Sequence, residues 1–143
     1  MSKTQTKELE LLDNICSRIS KTGKVPRRLN LKAYPTFQKR FEKAVKIAED
    51  RLVTRYVFLP SGRVVWTVKG RSGEYQVMPR TNFCSCDDFF FRVMGDKRQV
   101  CYHLMAQKIA DSLELYNDSK LKDRDYERIT EKWRVKEPAT TTE

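Results

Sequence analysis

The chain of 143 residues has one histidine, five glycines, five prolines and two tryptophans. A single imidazole leaves little scope for acid–base chemistry at neutral pH, where histidine is the side chain that ordinarily titrates. No glycine-rich loop of the phosphate-cradling type is present, because "PSGR" and "RSGE" lie between strand-like segments and read as hairpin turns. No apolar run approaches the ~18 residues of a membrane helix. The opening "MSKTQTKELELLDNICSRIS" carries charge throughout, so a secretory signal is not expected either. A disulfide framework is then a poor use for the four cysteines, and a reducing, intracellular compartment is expected.

What the chain has in excess is positive charge. The formal net charge is +10, with 39% hydrophobic and 34% charged residues, the composition of a small globular protein. Residues 1–50 hold 12 Lys/Arg against 6 Asp/Glu, and residues 51–110 hold 10 against 4, so each section carries +6. Residues 111–143 hold 7 against 9, a net −2. A basic body with a mixed acidic tail suits a nucleic-acid backbone or an acidic protein surface.

The periodicity predicts an α+β fold in one compact domain. Leu9, Leu12, Ile15, Cys16 and Ile19 recur at helical spacing, which predicts a helix over about residues 6–20. Gly23 and Pro26 interrupt it, and a second helix is expected from Pro35 to Asp50 with Phe37, Phe41, Ala44, Val45 and Ala48 as its stripe. Residues 1–50 thus form an N-terminal helical region. "RLVTRYVFL", "RVVWTVK" and "EYQVM" then predict a three-stranded antiparallel meander over about 51–79, with Val64, Trp66 and Val68 packing on the helices. "CYHLMAQKIADSLELY" reads as another helix, closing a section that runs to residue 116. Residues 117–143 read as a polar tail: "NDSKLKDRD" as a break, then a candidate short helix anchored by Ile129 and Trp133.

Between meander and helix lies "FCSCDDFFFRVMGDKRQVCYHLMA", with three of the four cysteines and the only histidine. Cys84 and Cys86 form a C-x-C pair; Cys101 and His103 form a C-x-H pair. Residues two apart share a side of a strand but not of a helix, so each pair can chelate only from a strand end, a turn or a helix start. The flanks supply those places. Three thiolates and one imidazole make a complete tetrahedral set for one structural zinc ion. Such a site holds a formal −1, which Lys97 and Arg98 are placed to offset. Four protein ligands leave no open position for a hydrolytic zinc, and using His103 as a ligand removes the only imidazole base. Asp87 and Asp88 read as a helix start, so no catalytic role is expected. Cys16, alone on the first helix's apolar face, is expected in the core.

C-x-C followed by C-x-H resembles the SWIM zinc finger. "CYHLMA" extends the match to C-x-H-x-x-A, as in the Shu-type SWIM proteins of homologous recombination. Ala106 stands where a small residue lets the helix approach its neighbour, and Phe89 and Phe91 stand where that family tends to carry aromatics. Asp87 and Tyr102 depart from the proline and lysine common at those positions, and neither is a ligand. The resemblance covers most of the chain. It implies a non-catalytic adaptor that pairs with a RecA-family recombinase paralogue and supports filaments on single-stranded DNA. The expected location is the nucleus in a eukaryote or the cytoplasm in an archaeon.

The alternative is a free-standing nucleic-acid-binding zinc module, with Arg27, Arg28, Lys39, Arg40, Lys43 and Lys46 contacting phosphates. A third possibility, a SWIM module in ubiquitin or signalling pathways, calls for further domains whose zinc ligands are not found here.

Overall fold

The structure, a computed structural model, describes residues 3–26, 29, 31–70, 73–85 and 100–133. Helix α1 spans Lys3–Thr22, α2 Pro35–Glu49, α3 Tyr102–Leu113 and α4 Tyr126–Glu131. The strands are β1 (Val53–Leu59), β2 (Arg63–Gly70), β3 (Gly73–Met78), β4 (Phe83–Cys84) and β5 (Asn117–Lys122). No helix among the described residues is long and apolar enough to cross a membrane.

Both N-terminal helices start or stop on local signals. Gly23 adopts a left-handed φ of 75° and its N–H donates to the Ile19 carbonyl at 2.7 Å, closing α1 as the break in periodicity predicts. Pro35 opens α2, where its missing N–H costs nothing. The expected stripes are buried: Leu9, Leu12, Ile15 and Ile19 on α1, and Phe37, Phe41, Ala44 and Ala48 on α2. Cys16 is half-buried against that core, and burial pushes its thiol above the ordinary value, which disfavours the thiolate.

The meander forms as predicted: β1 pairs antiparallel with β2, and β2 with β3. It is the centre of a larger sheet of order β4-β3-β2-β1-β5, in which β5 runs parallel to β1. The polar break expected at "NDSKLK" is therefore a strand. Its pairing is favoured by polar contacts that hydropathy does not register. Arg55 and Asp118, in register, make a bidentate pair at 3.1 and 2.8 Å, and Asn117 Nδ2 donates to the Arg51 carbonyl at 2.8 Å.

Strand register sorts side chains onto two faces. One face carries Val53, Trp66, Val68, Tyr75, Val77 and Cys84, which join α1, α2 and α3 in the main core. The other carries Phe58 and Val65, which pack with Trp133, Tyr56, Leu121, Tyr126 and Ile129 in a smaller cluster. Ile129 and Trp133 thus anchor the last short helix, as expected. Val64 differs from expectation: it shares the helical face but stands 46% exposed. It lies six residues before Gly70, about 20 Å along the strand from the helix-covered end.

Candidate metal centre

Two elements deliver the ligand atoms. Val77 pairs with Cys84, so the two-residue strand β4 fixes Cys84 at the sheet edge on the helical face. Cys101 is the N-cap of α3 with extended backbone (φ −66°, ψ 138°), and His103 lies in the first turn. A C-x-H pair straddling a helix start can turn both side chains to one point, which the same pair inside a helix cannot. Cys84, Cys101 and His103 are all buried, and their ligand atoms lie within 4.8 Å of one another.

The spacing is that of a shared ion. His103 Nδ1 lies 3.7 Å from Cys84 Sγ and 3.5 Å from Cys101 Sγ. With bonds of about 2.3 Å to sulfur and about 2.0–2.1 Å to nitrogen, the S···N edge of a tetrahedral zinc site is about 3.6 Å. The two measured separations bracket it. The donor set is soft and closed to solvent, and Nδ1 is the imidazole nitrogen turned to the thiols. The arrangement is consistent with zinc. Cys86, the fourth expected ligand, and Phe89 and Phe91, expected to support the finger, lie outside the described residues, as do Lys97 and Arg98.

The imidazole is held by packing. Its ring lies 5.0 Å from the Tyr75 ring and 4.2 Å from the Tyr102 ring, centroid to centroid. Its Nε2 is buried and has no hydrogen-bond partner among the described residues. Gly70 explains how the ring fits: a Cβ there would meet the Tyr75 ring at 2.5 Å and His103 Nε2 at 3.1 Å. Glycine at the end of β2 is thus a packing requirement of the site. Ala106, one turn along α3, is fully buried, as its small size predicts.

A buried ion pair fixes the backbone just before the C-x-H pair. Arg40 Nη2 and Glu8 Oε2 lie 2.5 Å apart, with side-chain exposures of 12% and 6%. Glu8 Oε1 accepts from Arg40 Nη1 at 3.1 Å and from the Val100 N–H at 2.8 Å, while Arg40 Nη1 donates to the Val100 carbonyl at 2.6 Å. Both backbone polar groups of Val100, next to Cys101, are satisfied by one pair that bridges α1 and α2. This corrects the place given to Arg40 among phosphate contacts: its guanidinium is turned inward and occupied. Lys39, Lys43 and Lys46 are exposed on α2, and Arg27 and Arg28 lie outside the described residues.

The sequence carried one signal for this clamp. Glu8 falls on the stripe of Leu12, Ile15 and Ile19, and Arg40 falls between Phe37 and Ala44 on its own helix. Opposite charges set into two apolar stripes are the signature of a buried pair.

No family model matches the chain, and no solved structure does. Over 128 residues, 88% of this chain, the sequence is 27% identical to the zinc finger SWIM domain-containing protein 7 homolog of Dictyostelium discoideum, 81% of which is covered. The chain is thus a distant homologue of a SWIM zinc finger protein, and the relationship supports a SWIM-type zinc finger built on Cys84, Cys101 and His103.

Proposed function

We propose that the protein is a non-catalytic adaptor of homologous recombination. In this reading one structural zinc ion, held by Cys84, Cys86, Cys101 and His103, fixes a module that pairs with a RecA-family recombinase paralogue and supports filaments on single-stranded DNA. The observation that carries it is the closed, buried thiol–imidazole corner in a chain homologous to a SWIM protein. A site of that kind organises a surface and leaves no open coordination position for chemistry. The partner would supply nucleotide binding, in keeping with the absence of a phosphate-cradling loop. The location that follows is nuclear in a eukaryote and cytoplasmic in an archaeon. The test is affinity purification of the full chain from its native cells. A RecA-family paralogue that co-purifies, and is lost with Cys101→Ser, is expected; failure to retain any protein of that family overturns the reading.

A second reading, a free-standing nucleic-acid-binding zinc module, is favoured by the row of Lys39, Lys43 and Lys46. These lie at i, i+4 and i+7 on α2 and are all exposed. Binding of the isolated chain should then weaken with salt at a log–log slope of about −0.7 per phosphate contacted on a single strand. A flat salt response removes it.

A further inference from the structure

The sheet ends on β5, which among the described residues has β1 as its one strand neighbour. Which of its backbone groups face outward follows from two bonds on the far side of β1. The Lys69 N–H donates to the Leu52 carbonyl at 2.9 Å, and the Gly62 N–H donates to the Phe58 carbonyl at 2.7 Å. The even-numbered residues of β1 therefore turn their backbone groups toward β2, and Arg55 and Val57 turn theirs toward β5. Arg55 stands in parallel register with Asp118, so the groups that answer it belong to Asn117 and Ser119, and Leu121 continues the series. The N–H and carbonyl groups of Asp118, Lys120 and Lys122 are left turned away from the sheet, and all three residues are exposed.

We infer that β5 is a docking edge for an extended segment of a partner protein. The segment adds beside β5 as a further strand, with acidic side chains two residues apart opposite Lys120 and Lys122. The inference rests on the adaptor reading above and deepens it by naming how the partner is held. In such an addition main-chain hydrogen bonds supply affinity and alternate side chains supply specificity. The edge is already ordered for this: Leu121 packs into the smaller cluster, and Arg55 holds Asp118 at 2.8 Å. That ion pair also neutralises Asp118, so Lys120 and Lys122 set the charge that a new strand meets. Lysines on an edge ordinarily discourage pairing, and a second copy in the antiparallel register centred on Lys120 would set that lysine against itself. An acidic strand turns the same two charges into favourable cross-strand pairs. Lys122 stands in register with Leu59, and Lys120 with Val57, which pairs in turn with Val64. Leu59 and Val64 are 45% and 46% exposed, and they give the residues that continue from the added strand an apolar surface to cover.

The test uses the full, zinc-loaded chain and a fluorescent peptide alternating threonine with glutamate. Two further versions are N-methylated, one at the glutamates and one at the threonines, and a last one carries lysine for glutamate. The glutamate peptide should bind, and one N-methylated version should bind at least about tenfold more weakly, because it loses backbone donors and keeps every charge. An antiparallel strand loses binding with the methylated glutamates and a parallel one with the methylated threonines. Lys120→Glu with Lys122→Glu should transfer the preference to the lysine peptide, and the same reversal at Lys39 and Lys46 should not. Lys120→Pro should block the edge at a nearly unchanged urea midpoint, since the N–H it removes faces outward. In affinity purification a RecA-family paralogue should be lost with Lys120→Pro while zinc content is unchanged. Equal binding of both N-methylated peptides and their parent overturns the inference, because charge alone then explains it. A paralogue retained undiminished by Lys120→Pro and by the charge reversal also overturns it, and leaves the adaptor reading standing. Peptide binding with the expected signatures in a chain that retains no paralogue upholds the edge and removes the adaptor reading. A concentration-dependent dimer abolished by Lys120→Pro would assign the edge to a second copy and overturn the partner.

Discussion

The two faces of the sheet are built by different means. On the helical face, periodic stripes on α1, α2 and α3 bury a continuous apolar core, and the metal corner closes its edge. On the other face a few large side chains converge on one carboxylate. Glu74 Oε2 accepts from Tyr56 Oη at 3.0 Å and from Thr67 Oγ1 at 2.6 Å, and Glu74 Oε1 accepts from Trp133 Nε1 at 3.0 Å. Tyr56 stacks obliquely on Trp133, and Tyr126 meets Phe58 edge-on, both at 5.0 Å. The first face is held by area and closed by a buried thiol–imidazole corner; the second is held by a hydrogen-bonded hub with an aromatic lid. The contrast predicts that damage to one face should leave the other partly standing.

The strongest way to break the comparison is to remove the metal. His103→Ala or Cys101→Ser should abolish a stoichiometry of about one zinc per chain and cost on the order of several kcal/mol, since structural zinc supplies folding free energy directly. Metal analysis and thermal denaturation check this. In a Trp66→Phe background the remaining tryptophan, Trp133, reports the opposite face. Its fluorescence should keep a buried signature at temperatures where the helical face has loosened. Simultaneous loss would show that the faces are one cooperative unit.

Next in size is the clamp. Glu8→Ala or Arg40→Ala alone leaves a buried charge without its partner, at a cost of about 3–5 kcal/mol. Replacing both, Glu8→Met with Arg40→Leu, should recover much of that stability. It should not recover zinc affinity, because the Val100 N–H and carbonyl then lose the side chains that fix them beside Cys101. Chelator competition should show affinity about 10–100-fold weaker, the range for outer-shell partners of a metal site. If the double replacement restores affinity as well, the pair serves stability only.

These residues also mark how far the sequence could be read. Helix stripes, the meander and the C-x-H pair are local patterns, and each appears where its period or spacing puts it; of the C-x-C pair, Cys84 stands beside them at the sheet edge. What stayed hidden depends on partners distant in sequence. Val100 is 92 residues from Glu8 and 60 from Arg40. β5 pairs with β1 across about 60 residues through polar contacts that imitate a loop's composition. Nothing local to Gly70 announces that His103 and Tyr75 will close over it. Arg40 was grouped with its lysine neighbours by charge, although its place on the apolar stripe set it apart.

On the opposite face, Glu74→Ala should cost about 2 kcal/mol by stranding three donors, since hydrogen bonds to a charged acceptor are worth about 1.5–3 kcal/mol and this site is only partly buried. Denaturant unfolding checks the cost. Zinc content should stay at one per chain, because none of the three donors touches the metal corner. A fall in zinc content would mean that the sheet transmits strain between its faces.

The smallest expected effect separates the hub's two contributions by pH. Burial, then the hydrogen bond to Glu74 and its negative charge, push the Tyr56 phenol from an ordinary 10.0 up to about 12. Between those values the unfolded chain has released the proton and the folded chain has kept it. The stabilising contribution is therefore complete below pH 10 and is lost as pH rises through 12. Lysines and other tyrosines titrate in the same window, so the informative quantity is the difference between wild type and Tyr56→Phe in urea midpoint at pH 9 and pH 11. Wild type should lose more stability between the two. Glu74→Gln should retain most of that difference, because burial is the larger cause and survives the loss of the carboxylate's charge. If Glu74→Gln abolishes it, the phenol is governed by the carboxylate, and the second face is held by electrostatics more than by its aromatic lid.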